Sequence, residues 1–107
     1  MMKKISQIKE FYDTIEKNKI VVTVWKTRFC PDCIILNRFL GEIESEFDDI
    51  LFVEIDRNKM IELSKYFEVY GVPSFIVFKE GEEIGRLVNK LRKSKREVTT
   101  FIKQTIM

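Results

Sequence analysis

A chain of 107 residues, 45% hydrophobic and 34% charged, carries two cysteines, two prolines and no histidine, with 19 basic against 17 acidic side chains for a net charge of +2. That length suits one domain over residues 1–107, able to bury roughly two thirds of the surface its unfolded form exposes without disulfide stapling. Zero histidine excludes Ser/His/Asp and Cys/His catalysis and two-His zinc motifs, and the near-balanced charge sets up no field that would gather nucleic acid or an anionic membrane.

Along the chain, a short strand at Lys3 to Ile5 is followed by Ser6 as N-cap of a helix whose apolar positions Ile8, Phe11, Tyr12 and Ile15 keep helical spacing, ending near Asn18. The nearly continuous apolar run Ile20 to Trp25 predicts a central strand buried on both faces. Lys26 to Cys33 (KTRFCPDC) leads into a second helical stripe of Leu36, Phe39, Leu40, Ile43 and Phe47, which sets both cysteines where strand becomes helix. Leu51 to Ile55 reads as another buried strand. A short helix capped by Asn58 follows, with Met60, Leu63 and Phe67 on one side. After Tyr70-Gly71-Val72-Pro73, Ser74 to Lys79 and Glu83 to Asn89 read as a hairpin turned at Glu80-Gly81. Ser94-Lys95-Arg96-Glu97 then forms a capping box before Val98, Phe101, Ile102 and Ile106. The order predicts an α/β domain: a central mixed sheet of four to five strands flanked by four helices.

No apolar stretch approaches the roughly 18 residues of a bilayer span, and the first 19 residues lack the apolar core of a signal peptide. The expected address is therefore cytoplasmic. In a reducing cytosol a cysteine pair points to redox chemistry or metal binding rather than to a structural disulfide.

Cys30-Pro31-Asp32-Cys33 between buried strand and helix, with Gly71-Val72-Pro73-Ser74 opening a later hairpin, resembles the thioredoxin family over essentially the whole chain. Asp56-Arg57-Asn58 is similar to the end of that family's strand before its third helix, and Phe78 to Glu82 to its hairpin turn. The resemblance implies the thioredoxin fold, protein-disulfide oxidoreductase activity without a cofactor, and a cis Val72-Pro73 bond packed beside the cysteines. That bond would leave the Val72 backbone free to pair with an extended substrate.

The residues themselves support the chemistry. Two thiols two residues apart at a helix start can close a disulfide, and the outer sulfur lies among free N–H groups at the positive end of the helix dipole. Cys30 is thus the expected exposed nucleophile and Cys33 the sheltered resolving thiol. Pro31 suits the first helical turn and stiffens the loop. Asp32 helps the helix terminus but opposes a Cys30 thiolate, with Arg28 and Lys26 as the cations to offset it. Phe29, Val72 and Pro73 are the candidate substrate-binding residues, Phe29 and Val72 as an apolar rim; core packing is the competing reading of both.

The sequence departs from the family's pattern at several places. Val24 stands where the family has a buried Asp that assists proton transfer, Glu54 where its neighbouring lysine stands, and Lys26 where a tryptophan precedes the motif, which itself reads FCPDC. Glu54 replaces the missing base if its strand turns it toward Cys33; a surface carboxylate is the competing reading. Proline after the first cysteine also resembles glutaredoxins, but Arg86 to Asn89 lacks a glycine pair of the kind that family uses near glutathione.

Alternative classes are a disulfide-isomerase-like enzyme, a noncatalytic thioredoxin-like interaction module, or a metal or iron–sulfur binder. The last would need a second chain or external thiols, since two cysteines are half of a four-thiolate site; no metal is expected. The basic group Lys90, Arg92, Lys93, Lys95, Arg96 and Lys103 reads as a solvated face balanced by Glu42, Glu44, Glu46, Asp48 and Asp49. The expected partners are disulfide-containing proteins and a reductase or small thiol as electron donor, with no nucleic acid or membrane, and the expected state is a monomer.

Overall fold

The computed structural model describes residues 2–107. Its elements are β1 (Lys3–Ile5), α1 (Ile8–Lys17), β2 (Ile20–Lys26), α2 (Pro31–Glu46), β3 (Leu51–Asp56), α3 (Ile61–Tyr66), β4 (Ser74–Lys79), β5 (Glu82–Leu87) and α4 (Lys95–Ile106). They form a five-stranded sheet in the order β1-β3-β2-β4-β5. β3 runs parallel to β1 and to β2, while β4 runs antiparallel to both β2 and β5. This is the mixed sheet with four helices that the element order predicts.

β2 is central because it is apolar on both faces. Val21 and Trp25 join Ile5, Phe11, Ile15, Val53 and Ile55 on the side of α1 and α3. Val22 and Val24 join Leu36, Leu40, Ile43, Phe75, Val98 and Ile102 on the side of α2 and α4. The period-two alternation of a strand sends successive side chains to opposite faces, so one apolar run supplies two cores. Thr23, buried in the same strand, donates to the Ile76 carbonyl at 2.8 Å and accepts from the Trp25 indole at 2.9 Å. Its hydroxyl therefore costs little, as a buried polar group with both roles filled.

Local signals in the sequence place most elements within two residues of their observed bounds. The β4–β5 turn has Glu80 at φ 52° and Gly81 at φ 85°, the paired positive φ of a two-residue hairpin turn. Strand β5 begins at Glu82 and ends at Leu87, two residues before the expected Asn89. Ser94 caps α4 by accepting from the Glu97 amide at 3.0 Å.

Two expected caps are corrected. Gln7, not Ser6, precedes α1; the Ser6 amide instead donates to the Glu10 carboxylate at 3.1 Å, which holds that carboxyl below its usual range with help from Lys3. Met60, not Asn58, precedes α3, because Asp56 accepts from the amides of Asn58 and Lys59 and turns the chain one step earlier.

Candidate active site

The end of β2 and the start of α2 meet at Cys30. This residue is the N-cap of α2 with extended backbone, φ −110° and ψ 107°; its carbonyl accepts from Ile34 at 3.1 Å and its sulfur from the Cys33 amide at 3.1 Å. Pro31 occupies the first helical position, where its missing N–H is one the helix could not have used. The tetrapeptide thus winds both sulfurs onto the first turn, and Cys30 and Cys33 are joined as a disulfide. Cys30 is 8% exposed and Cys33 2%. The expected order holds, but the expected open exposure of Cys30 does not: only a sliver of its sulfur-bearing residue reaches solvent.

Facing the pair is the turn before β4. Val72-Pro73 is a cis peptide bond, and the Val72 carbonyl lies 4.0 Å from the Cys30 sulfur. Pro73 is buried and Val72 half-buried. Behind the turn, Ser74 donates to the Gly71 carbonyl at 2.6 Å, and a Cβ on Gly71 would run into the backbone of Asn89 and Lys90. Gly71 is therefore required by close approach: the loop after β5 rests on the turn that meets Cys30.

Phe29 projects into solvent at 92% exposure, with the Arg28 guanidinium 6.0 Å from its ring centre. Core packing is excluded for it; Phe29 and Val72 flank Cys30 without forming a closed pocket.

Charges around the motif pair differently from the sequence expectation. Lys26 bonds to Glu54 at 2.5 Å and to Asn37 at 2.8 Å, so it is unavailable to Asp32. These residues and Cys33 line a cleft of about 300 Å³. Glu54 is thus on the Cys33 side of the sheet end, paired rather than free, while Val24 is fully buried among apolar side chains and brings no carboxylate to the cysteines.

Asp32 is met by Arg92, whose Nε lies 2.9 Å from Oδ1 although 60 residues separate them. The sequence places Arg92 on a solvated basic face, and no local pattern links it to Asp32; only the fold does. Lys93 departs further from that reading, being 1% exposed, with Nζ donating to the Leu91 carbonyl at 2.5 Å and toward the Asn89 carbonyl at 3.4 Å. Burial pushes its amine below the usual lysine value, against the opposing pull of Glu97 and Asp32. A signal for this was available: Lys93 stands just before the N-cap Ser94, the position that packs against N4, here buried Val98. The rest of the basic face behaves as expected, with Lys95 paired to Glu42 at 2.8 Å.

Fold and site together define a dithiol–disulfide protein: a cysteine pair at a helix N-terminus, opposed by a cis-proline turn, on a five-stranded mixed sheet. A family model described as Thioredoxin matches residues 2–104. The chain is 28% identical over 78 residues to thioredoxin H2 of Arabidopsis thaliana, a stretch covering 73% of this chain but 59% of that protein. It is 26% identical over 88 residues to thioredoxin-1 of Schizosaccharomyces pombe, covering 82% and 85% of the two chains. Oxidized mitochondrial thioredoxin 3 of Saccharomyces cerevisiae has the same fold, with a TM-score of 0.82 at 23% identity over 98% of this chain and 93% of that one. The chain belongs to the thioredoxin family of protein-disulfide oxidoreductases. Thiol–disulfide exchange is the chemistry its cysteine pair carries.

Proposed function

We propose that this protein reduces disulfides in other proteins by cycling Cys30 and Cys33 between dithiol and disulfide. The observation that carries this reading is the position of Cys30, whose sulfur sits as the N-cap of α2 and accepts the Cys33 amide at 3.1 Å. A donor aimed at the sulfur, and the positive end of a 16-residue helix, both favour thiolate over thiol.

In the forward cycle the Cys30 thiolate attacks one sulfur of a substrate disulfide, forming a mixed disulfide and releasing the other substrate sulfur as a thiolate. Cys33, once deprotonated, attacks the Cys30 sulfur, which frees the second substrate sulfur and closes Cys30–Cys33. Two electrons pass from the dithiol to the substrate. A reductase or a low-molecular-weight thiol then returns them, and no cofactor takes part in the exchange itself. Pro31 fixes the helix start and Asp32 modulates it. Phe29 and Val72 receive the substrate chain, its backbone pairing beside Pro73 in the manner of an added strand.

A cytoplasmic address accords with this direction, because a reducing compartment keeps the dithiol charged. The cycle requires nothing from a second copy, so residues 1–107 acting as one monomeric domain suffice.

Insulin reduction with excess dithiothreitol tests the proposal: wild-type protein is expected to accelerate precipitation of the insulin B chain, and Cys30→Ser to abolish that acceleration. Wild-type protein no faster than dithiothreitol alone would overturn it and favour a noncatalytic interaction module. The direction is tested by the reduction potential, expected near the cytosolic glutathione poise of about −220 to −320 mV or below. A value far more oxidising would point to an oxidase or isomerase.

A further inference from the structure

We infer that Arg92 sets the nucleophilicity of Cys30 by neutralising Asp32, so that a loop 60 residues away in sequence controls the charge beside the reactive sulfur. The inference rests on Cys30 being the nucleophile.

Asp32 stands two residues beyond Cys30 in the first turn of α2, its carboxylate about one third exposed. An unopposed anion there works against a Cys30 thiolate and cancels part of what the helix terminus supplies. No other nearby cation among the described residues bonds to Asp32. Lys26 is held by Glu54 and Asn37, and Arg28 lies over the Phe29 ring. Lys59 and Asp56 share the hollow beneath Phe29 with Arg28. Lys90 is exposed on the loop and makes no side-chain bond among the described residues. Among the described residues, Arg92 alone makes a direct bond to Asp32, at 2.9 Å.

The backbone that carries Arg92 is fixed. Lys93 is buried beneath it and ties the Leu91 and Asn89 carbonyls together through one ammonium group. Asn89 further accepts from the Leu91 amide at 2.9 Å and from the Ser74 hydroxyl at 3.4 Å, and its carbonyl lies against Gly71. One loop therefore braces the Val72-Pro73 turn on one side of the sulfurs and delivers a guanidinium to Asp32 on the other. Lys93 adds a second positive charge within electrostatic reach of Asp32, its amine proton disfavoured by burial and favoured by Glu97 and, less, by Asp32.

Arg92 is 63% exposed at its side chain, so the pair is worth only what surface ion pairs are worth, and the effect is a tuning one. A charge effect at Cys30 no larger than the upper worth of a surface pair corresponds to a change of up to about fivefold in the thiolate fraction below the Cys30 pKa.

The test is the pH dependence of iodoacetamide alkylation of Cys30 in reduced protein, read by mass on wild type, Arg92→Gln, Arg92→Lys, Asp32→Asn and the Arg92→Gln/Asp32→Asn double variant, with circular dichroism confirming the fold of each. Arg92→Gln is expected to slow alkylation at acidic pH by about two- to fivefold, and Arg92→Lys to restore most of the rate. Asp32→Asn should quicken it, and the double variant should alkylate like Asp32→Asn alone, because without Asp32 nothing holds the exposed Arg92 guanidinium beside the sulfur. About 1 M salt should erase most of the difference between wild type and Arg92→Gln.

An Arg92→Gln profile superposable on wild type, or the same slowing by Arg92→Gln with and without Asp32, would overturn the inference while leaving the dithiol cycle intact. If instead Cys30→Ser still shows a fast-alkylating thiol, the assignment of the nucleophile fails, and this inference with it.

Discussion

The Cys33 amide donates to the Cys30 sulfur across 3.1 Å, so the residue that performs the chemistry also caps the helix that positions it. A serine at position 30 keeps an acceptor in that place and an alanine does not. Under reducing conditions Cys30→Ala is expected to be less stable than Cys30→Ser by about 1 kcal/mol, the usual worth of an N-cap, with both inactive. Denaturant titration of the two reduced variants measures it; equal midpoints would show that the sulfur contributes nothing to the helix start.

Two glycines should respond to alanine with opposite signs. Gly71 has no room for a Cβ against Asn89 and Lys90, and Gly71→Ala is expected to cost about 1–3 kcal/mol and to lower disulfide reduction by displacing the Val72 carbonyl from Cys30. Gly41, inside α2, has nothing among the described residues within 4 Å of its would-be Cβ, and Gly41→Ala should stabilise by about 0.5–1 kcal/mol without touching activity. Thermal melts and insulin turnover on the two variants separate the effects, and loss of activity in Gly41→Ala would contradict the account.

Lys93 predicts an alkaline signature. Its amine is held below the ordinary lysine value of 10.5 by burial, so between the depressed folded value and 10.5 the unfolded chain binds more protons than the native one. Stability must rise with pH across that window. Relative to Lys93→Met, which fills the same space without a charge, the wild type should therefore gain stability as pH approaches 10.5. Urea midpoints of the pair from neutral to alkaline pH test this, and a constant difference between them would show that the ammonium is not desolvated.

Lys93 and Arg92 also show where the sequence stops being legible. The sheet, its helices and the cysteine turn could be read because each rests on short-range patterns: the two-faced apolar run of β2, the Glu80-Gly81 turn, and Ser94 with Glu97. The family resemblance reached further, bringing the Gly71 to Ser74 turn to the cysteines. Partnerships decided only by the fold could not be read at all. Asp32 chooses Arg92 over its neighbours Arg28 and Lys26, and Lys26 chooses Glu54 across the parallel strand pair, next to the register partners Val24 and Glu54. Lys93 departs from the expectation because composition marks a lysine as solvated, whereas the fold buries this one just before the N-cap of α4.

The central claim, that Cys30 attacks and Cys33 resolves, is tested most directly by trapping the intermediate. Reduced Cys33→Ser and reduced Cys30→Ser are each mixed with a disulfide substrate and analysed by mass spectrometry under non-reducing conditions. The account predicts that Cys33→Ser accumulates a mixed disulfide through Cys30, because nothing remains to release it, while Cys30→Ser, with only a 2% exposed thiol, accumulates little or none. Equal trapping by both variants, or trapping by Cys30→Ser alone, would contradict it.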